Sequence, residues 1–211
     1  MKKTKYWILA ARPQTLIASI APVIISTIFS YKYFNFNFTI FILIIISVLL
    51  IQIMTNFIND LYDFKKGADT RSRLGPKRMV QSGNISQKEM KSGILLTLIF
   101  AVFSGLYLVL IGGWFILLIG ISGFLFAYLY TATRFSIAYN GFGEFFVFIY
   151  FGVIASLGTF YLYNLEFHFQ ALLIGIMFGF LNTSLLIINN IRDFDTDMLS
   201  NKNTTAVIFG K

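Results

Sequence analysis

The sequence predicts an all-α fold, a polytopic transmembrane helical bundle that residues 1–211 form as a single membrane domain. Of its residues, 57% are hydrophobic and only 12% are charged, and the mean hydropathy is +0.75. Such values are typical of integral membrane proteins rather than of soluble domains. In addition, six apolar stretches approach the length of about 20 residues that crosses a bilayer as a helix. These six predicted spans are residues 16–31, 38–58, 94–111, 114–130, 145–163 and 171–189.

The distribution of basic residues predicts how the bundle is oriented. Every lysine and arginine except Lys32 falls on one side of the predicted spans, either at a terminus or in a connection. Because cytoplasmic loops of membrane proteins carry an excess of basic residues, we expect both termini on the cytoplasmic side of the cell's inner membrane. The net charge of +8 then reflects topology, and no nucleic-acid partner is predicted.

A first acidic cluster follows the second span and contains Asn59, Asp60, Asp63 and Asp69. If this segment is helical, Asn59 and Asp63 are four positions apart and share a face with Asp60. Carboxylates so close together repel one another unless a cation lies among them, and oxygen ligands suit Mg²⁺. The alternative is a hydrated cytoplasmic cap in which the acids lie among lysines and arginines.

A second acidic cluster, Asp193, Asp195 and Asp197, follows the sixth span on the same side of the bundle. Carboxylates that border a membrane cavity are costly and usually have a partner. The two clusters therefore predict one cytoplasmic-side site for a metal-bound diphosphate, with Asp63 and Asp193 facing a common cavity. The sequence has no cysteine and one histidine, which excludes thiolate and multi-histidine metal sites.

Basic and polar residues on that side complete the predicted site. Tyr130 and Arg134 are spaced as neighbours on a helix face, so we expect them to face one pocket. Glu144 is either an interfacial charge or a substrate contact. Arginine and lysine bind diphosphate, arginine with bidentate geometry, although each basic residue alone also serves as a topology determinant. The candidate diphosphate ligands are Arg73, Lys77, Arg78, Arg134 and Lys202.

Two motifs resemble those of the UbiA superfamily of intramembrane aromatic prenyltransferases. They are Asn59-Asp60-x-x-Asp63 with a later Asp69, and Asn190-x-x-Asp193-x-x-x-Asp197. Residues 12–16, 65–69, 73–78, 82–83, 141–144 and 203–207 further resemble the branch that prenylates 1,4-dihydroxy-2-naphthoate in menaquinone synthesis, or its phytyl counterpart.

The resemblance implies Mg²⁺-dependent transfer of a prenyl group from a prenyl diphosphate to the naphthoate ring, giving a demethylmenaquinol-type product. Two alternatives remain open: another aromatic acceptor such as 4-hydroxybenzoate, or a non-catalytic membrane protein such as a cation carrier or an inactive fragment. A carrier places its ionisable residues near the middle of the bilayer, whereas here they lie at one end of the spans. Prenyl chain length and oligomeric state are not predicted.

The roles that the resemblance implies fall on ten residues. Catalysis is assigned to Asp63, Asp193, Tyr130 and Arg134, and acceptor binding to Asn190 and Glu144. Metal binding is assigned to Asn59, Asp60, Asp63, Asp69, Asp193 and Asp197, and the lipid bilayer is the remaining partner.

Two departures from the family pattern affect these expectations. Relatives carry the third acid of the first motif where this chain has Gly67, so Asp69 stands in for it through a short insertion. The family has nine membrane helices, and six are predicted here. We therefore expect residues 1–211 to lack the last three helices and to be inactive alone, because an open flank leaves polar groups of the cavity facing lipid.

Overall fold

The computed structural model describes residues 2–69 and 74–210, and the chain is helical over most of them. The helix of residues 38–65 continues past the predicted end of the second span, so Asn59, Asp60 and Asp63 are helical as expected, whereas Asp69 lies beyond the helix end. The helices are α1 (Lys2–Ala11), α2 (Pro13–Tyr31), α3 (Phe38–Lys65), α4 (Gln87–Thr131), α5 (Gly143–Asn164), α6 (Phe169–Arg192), α7 (Phe194–Leu199) and α8 (Thr205–Phe209).

Five helices, α2 to α6, are long and apolar enough to cross a membrane, against six predicted spans. The difference lies in α4, whose 45 residues would extend about 68 Å if straight, twice the hydrocarbon thickness of about 30 Å. Gly113 interrupts it with φ 62° and ψ −153°, a conformation that favours glycine. Ile94 and Ala127, from opposite halves, pack in the same apolar cluster. The chain thus folds back at Gly113, and α4 contains the third and fourth predicted spans.

Local sequence signals explain where several helices begin. Asn37 caps α3 by accepting the Ile40 N–H at 3.1 Å. Ser86 and Glu89 form a reciprocal capping box at the start of α4. Pro13 occupies the first turn of α2, where its missing N–H costs nothing, and the preceding Arg12 turns the chain with φ 53°.

Polar and small residues hold the helices together inside an otherwise apolar bundle. Ser47 of α3 and Ser104 of α4 share a buried hydrogen bond of 2.8 Å. In α5 and α6 the backbones come into direct contact, because a Cβ atom on Gly152 would lie 2.4 Å from the Gly175 carbonyl oxygen. Gly152 lies in a π-helical segment, Ile149–Ile154, within α5.

The order of the spans places both acidic clusters at one face of the bundle. Each cluster follows the second helix of an antiparallel pair, α2 with α3 and α5 with α6, and the folded-back α4 lies between the pairs in sequence. The long connection from Lys66 to Ser86 and the short one from Ala132 to Phe142 lie at the same face. The all-α, multi-pass membrane architecture predicted from the sequence is confirmed.

Candidate active site

Asp63 is the centre of the first cluster and is held from two sides. Its Oδ2 accepts a hydrogen bond of 2.7 Å from Nη2 of Arg78, and its Oδ1 accepts one of 2.9 Å from the Tyr139 hydroxyl. Arg78 also donates from Nε to Oδ1 of Asp69 at 3.3 Å. Asp63 and Arg78 are only 4% and 5% exposed, so these charges are largely removed from water and their geometry is narrowly defined.

Asp60 and Asn59 connect this cluster to the rest of the fold. Both carboxylate oxygens of Asp60 accept backbone N–H groups, from Met79 at 2.9 Å and from Val80 at 3.0 Å. These bonds seat the loop segment that carries Arg78. Asn59 accepts a hydrogen bond from the Thr131 hydroxyl at the end of α4. Since a carboxylate has about four acceptor positions, Asp60 keeps capacity for a further ligand.

The second cluster lies where α6 ends and α7 begins. Arg192 donates from Nε and Nη2 to the two carboxylate oxygens of Asp193, at 2.8 and 2.9 Å. Lys202 places its Nζ 3.4 Å from Oδ1 of Asp197 and donates its backbone N–H to the Asp197 carbonyl at 2.9 Å. Both aspartates are buried. Asp193 and Asp197 thus each have a cation supplied by a nearby position in the sequence.

Tyr139, in the short helical turn Ile137–Tyr139 between α4 and α5, lies between the two clusters. Its hydroxyl contacts Asp63, and its carbonyl accepts the N–H of Asn203, which follows the second cluster, at 3.2 Å. Burial raises the pKa of Tyr139 well above its usual value, and the charges of Asp63, Asp69 and Asp197 add to the shift. Tyr139 thus contacts the first cluster through its hydroxyl and the segment that follows the second cluster through its carbonyl.

Two lysines flank the ring of Tyr139. The Lys66 ammonium lies 4.2 Å from the ring centroid and the Lys202 ammonium 5.7 Å from it. Lys66 also donates to the Thr133 carbonyl and the Ser136 hydroxyl, each at 2.8 Å. Burial lowers the pKa of Lys66, and the Asp63 carboxylate opposes that shift.

Three predicted residues, Tyr130, Glu144 and Asn190, come together beside the clusters. Asn190 donates to Oε1 of Glu144 at 2.7 Å, and the Thr205 hydroxyl donates to the same oxygen. Glu144 begins α5 next to Gly143, where an added Cβ atom would lie 3.2 Å from the Tyr130 hydroxyl. Thr131, the neighbour of Tyr130, donates its hydroxyl to Asn59 of the first cluster. This group therefore adjoins the first cluster.

Other predicted residues lie away from this centre. The helical alignment expected for Tyr130 and Arg134 is wrong, because α4 ends at Thr131 and Arg134 lies exposed in the following loop, 5.9 Å from the Phe135 ring centroid. Lys77 is exposed and lines a surface groove of about 340 Å³. Arg73 lies outside the described residues.

An apolar cavity of about 490 Å³ adjoins the polar centre. Tyr130 is one of its lining residues and connects it to the acidic end, while Ile51, Leu108, Phe146 and Tyr150 line it within the bundle. The cavity offers an elongated apolar ligand a place beside the charged groups.

Tyr139 and Thr205 are the main site residues that sequence reasoning missed. A tyrosine within a polar loop between two predicted spans was the only available signal for Tyr139. Its partners, Asp63 and Asn203, are far from it along the chain, so their contact follows from the tertiary structure alone.

The donor set is suited to Mg²⁺ in a particular way. Among the residues that the structure describes, no three acidic side chains form a group that could hold an ion by themselves. Mg²⁺ is usually bound by one or two carboxylates together with substrate phosphates and water, rather than by an all-protein cage. Asp63 and Asp69 share Arg78, and Asp197 pairs with Lys202, whose ammonium lies 5.7 Å from the Tyr139 ring centroid. These carboxylates are buried, and one or two of them, used together with substrate phosphates, fit that mode of binding.

Comparison with known proteins decides the family. Residues 19–211 match the model of the UbiA prenyltransferase family. The chain belongs to this family. It is similar to proteins described as 1,4-dihydroxy-2-naphthoate octaprenyltransferase, with 33% identity to that of Bacillus subtilis over 94% of this chain and 64% of the relative. The relative from Haemophilus influenzae is 34% identical over 99% of this chain and 70% of its own length.

Solved structures agree on the fold. A UbiA homologue from Archaeoglobus fulgidus bound to GPP and Mg²⁺ superimposes with a TM-score of 0.78 at 19% identity, over 97% of this chain and 69% of that one. The same homologue bound to DMAPP and Mg²⁺ gives a TM-score of 0.76. The chain thus spans about two thirds of the length of the UbiA relatives it matches, such as those from Bacillus subtilis, with 64% covered, and Escherichia coli, with 70%. The family resemblance read from the sequence is confirmed.

Proposed function

We propose that this protein transfers a prenyl group from a prenyl diphosphate to 1,4-dihydroxy-2-naphthoate, giving a demethylmenaquinol-type product. The observation that carries the proposal is that Tyr139 contacts Asp63 of the first cluster through its hydroxyl and the segment after Asp197 of the second cluster through its carbonyl. An apolar cavity of about 490 Å³ adjoins this polar centre. The naphthoate octaprenyltransferases that are 33–34% identical to the chain support this choice of acceptor.

In this proposal the polar centre binds the diphosphate through a metal. Asp63 and Asp69 on one side, and Asp193 and Asp197 on the other, would hold Mg²⁺, with Asn59 and Asp60 at the margin of the first pair. Mg²⁺, when bound, supplies Lewis-acid stabilisation of the negative charge that builds up on the departing diphosphate. The structures of a homologue with GPP or DMAPP and Mg²⁺ support this mode.

The chain's own cations share that task. Arg78 is buried and already directs Nη2 and Nε toward two carboxylates, and within the described part of the chain its Nη1 has no hydrogen-bond partner. A guanidinium with an open N–H in a site of low polarity is well suited to contact a phosphate oxygen. Lys202 approaches from the second cluster. Arg73, Lys77 and Arg134 remain predicted diphosphate ligands, which would reach the diphosphate from the surrounding loops.

The cavity would receive the prenyl tail. Aromatic faces along it, including Phe146 and Tyr150, are 6.4 Å apart between ring centroids and stacked within 15°. Such faces stabilise positive charge at the allylic carbon as its bond to the diphosphate breaks. The apolar walls also keep water away from that carbon, so that it reacts with the acceptor instead.

Glu144, fixed by Asn190 and Thr205, would contact the acceptor from the opposite side of Tyr130. The naphthoate ring donates the electron pair of the new carbon–carbon bond, the diphosphate leaves with the pair of the broken bond, and the ring carboxylate departs as CO₂. Tyr130, which lines the cavity and lies beside Gly143, would contact the ring near the allylic end of the prenyl group. The basic loops support a cytoplasmic position for this face.

Reconstitution of the purified protein in liposomes tests the proposal. We expect a protein that carries all nine helices of the family to form prenylated product from a prenyl diphosphate and 1,4-dihydroxy-2-naphthoate with Mg²⁺, and to form none after Mg²⁺ is removed by chelation. Residues 1–211 alone serve as the comparison, since they are expected to be inactive without the last three helices. Parallel reactions with 4-hydroxybenzoate test the acceptor. Preference for the benzoate would replace the naphthoate assignment, and transfer to neither acceptor would overturn the proposed activity.

A further inference from the structure

We infer that Tyr139 is a positioning residue that holds the two acidic clusters in register and so sets the affinity for the metal-diphosphate unit. The inference rests on the proposed function, because it assigns to Tyr139 the task of orienting the proposed ligands. The residue is buried and belongs to neither motif.

Tyr139 fixes the orientation of Asp63. Its hydroxyl occupies one position on Oδ1 at 2.9 Å, while Arg78 occupies Oδ2 at 2.7 Å. With a donor on each oxygen the carboxylate plane cannot rotate freely, and the remaining lone pairs point in fixed directions. Hydrogen bonds of this kind to a metal-binding carboxylate affect metal affinity about 10- to 100-fold.

The backbone of the same residue is tied to the second cluster. The Tyr139 carbonyl accepts the Asn203 N–H at 3.2 Å, and Asn140 and Asn203 form a short parallel bridge. Asn203 directly follows Lys202, whose ammonium pairs with Asp197 and lies 5.7 Å from the Tyr139 ring centroid. One residue therefore contacts Asp63 through its side chain and the Asp197 segment through its backbone.

The turn that carries Tyr139 is held in place by hydrogen bonds from Lys66. Lys66, at the end of α3, donates to the Thr133 carbonyl and to the Ser136 hydroxyl, and Ser136 is completely buried. Lys66 also covers the Tyr139 ring at 4.2 Å from its centroid. The turn is thus held against the helix that bears Asp63, which allows the Tyr139 hydroxyl to act as a fixed donor.

Tyr139→Phe removes only the hydroxyl and keeps the ring with its two lysine contacts. We expect Mn²⁺ binding in the presence of inorganic pyrophosphate, followed by electron paramagnetic resonance, to weaken about tenfold in the full protein. In the transfer reaction, KM for the prenyl diphosphate should rise by a similar factor, while kcat and KM for the acceptor stay within about twofold.

Tyr163→Phe is the matched control, because its hydroxyl contacts Thr27 at 3.5 Å near the opposite end of the bundle. It should leave Mn²⁺ binding unchanged. If Tyr139→Phe does not fold, Lys66→Gln provides the test, since it releases the turn but keeps Tyr139. It should weaken Mn²⁺ binding by about threefold, less than loss of the direct donor.

The inference would be overturned if the folded Tyr139→Phe variant bound Mn²⁺ with unchanged affinity. When Lys66→Gln is the test, unchanged Mn²⁺ affinity in that variant would have the same meaning. So would a lower melting temperature accompanied by unaltered binding, because this is the result of a purely structural role. The binding measurement uses no organic substrate. If Mn²⁺ binding depends on Tyr139 but wild-type protein transfers no prenyl group, the proposed function fails and the positioning role stands.

Discussion

The two acidic clusters neutralise their charge by different means. In the first cluster, Asp63 and Asp69 accept hydrogen bonds from Arg78, and Asp60 accepts the backbone N–H groups at positions 79 and 80. Asp63 also accepts from Tyr139, which is 76 positions away. In the second, Asp193 pairs with the adjacent Arg192, and Asp197 with Lys202 five positions away. The first cluster is assembled by tertiary structure, whereas the second assembles its ion pairs locally.

This difference separates two kinds of contribution. Partners that are distant in sequence bring a loop, a turn and a helix end together, so the first cluster contributes to both stability and ligand geometry. Partners that are close in sequence order little additional chain, so the second contributes mainly charge. We expect the clusters to be similar in their effect on turnover and different in their effect on folding.

The largest expected effect is on turnover and is common to both clusters. Asp63→Asn and Asp193→Asn should each reduce prenyl transfer by at least about a hundredfold, because loss of one charged ligand weakens stabilisation of the departing diphosphate by several kcal/mol. Initial rates in liposomes at saturating Mg²⁺ measure this. Asp195→Asn, the same change at an exposed position, should stay within about twofold of wild type. A wild-type rate in either cluster variant would remove that residue from the metal site.

The next effect distinguishes the clusters by stability. Asp60→Ala leaves the N–H groups of Met79 and Val80 buried without their acceptor, at a cost of about 2–4 kcal/mol in the free energy of unfolding. Denaturant unfolding in detergent, followed by tryptophan fluorescence, would measure it. A cost near that of Asp195→Ala would show that the loop does not depend on Asp60.

A smaller effect is expected at the equivalent ion pair of the second cluster. Arg192 is exposed and pairs with its immediate neighbour, so Arg192→Ala should cost about 1 kcal/mol or less. The same unfolding assay applies, with added salt as a second variable, since screening weakens exposed pairs further. A loss as large as that of Asp60→Ala would contradict the distinction between the clusters.

The smallest effect is a dependence of stability on pH, and it concerns Lys66, which interacts with Asp63 of the first cluster. Burial lowers the pKa of Lys66 in the folded protein, whereas lysine in the unfolded chain titrates at about 10.4. Between these two pKa values the unfolded state binds more protons, so the free energy of unfolding rises with pH. Relative to Lys66→Gln, wild type should therefore gain thermal stability as pH approaches about 10. A difference in melting temperature that does not vary with pH would contradict this.

The sequence predicted the elements that depend on composition and spacing. Hydropathy located the spans, and the four-residue spacing of Asn59 and Asp63 described a segment that is helical as expected. The sequence did not predict that both carboxylate oxygens of Asp60 would accept hydrogen bonds from a loop, or that Tyr139 would connect the clusters. Those contacts depend on how distant segments of the chain meet. Arg134 shows the opposite case: its spacing from Tyr130 was suitable, but α4 ends before reaching it.

The contact between α5 and α6 has a consequence for motion. At Gly152 and Gly175 backbone meets backbone, and the ring of Phe148 packs directly on Gly179, so little room is left for the two helices to slide. Asn182 adds a bond from α6 to the Phe151 carbonyl at 2.9 Å and one to the Ala18 carbonyl of α2 at 3.2 Å. These helices therefore move as one rigid body. We therefore expect ligand exchange at the polar centre to leave the packing of α5 against α6 unchanged.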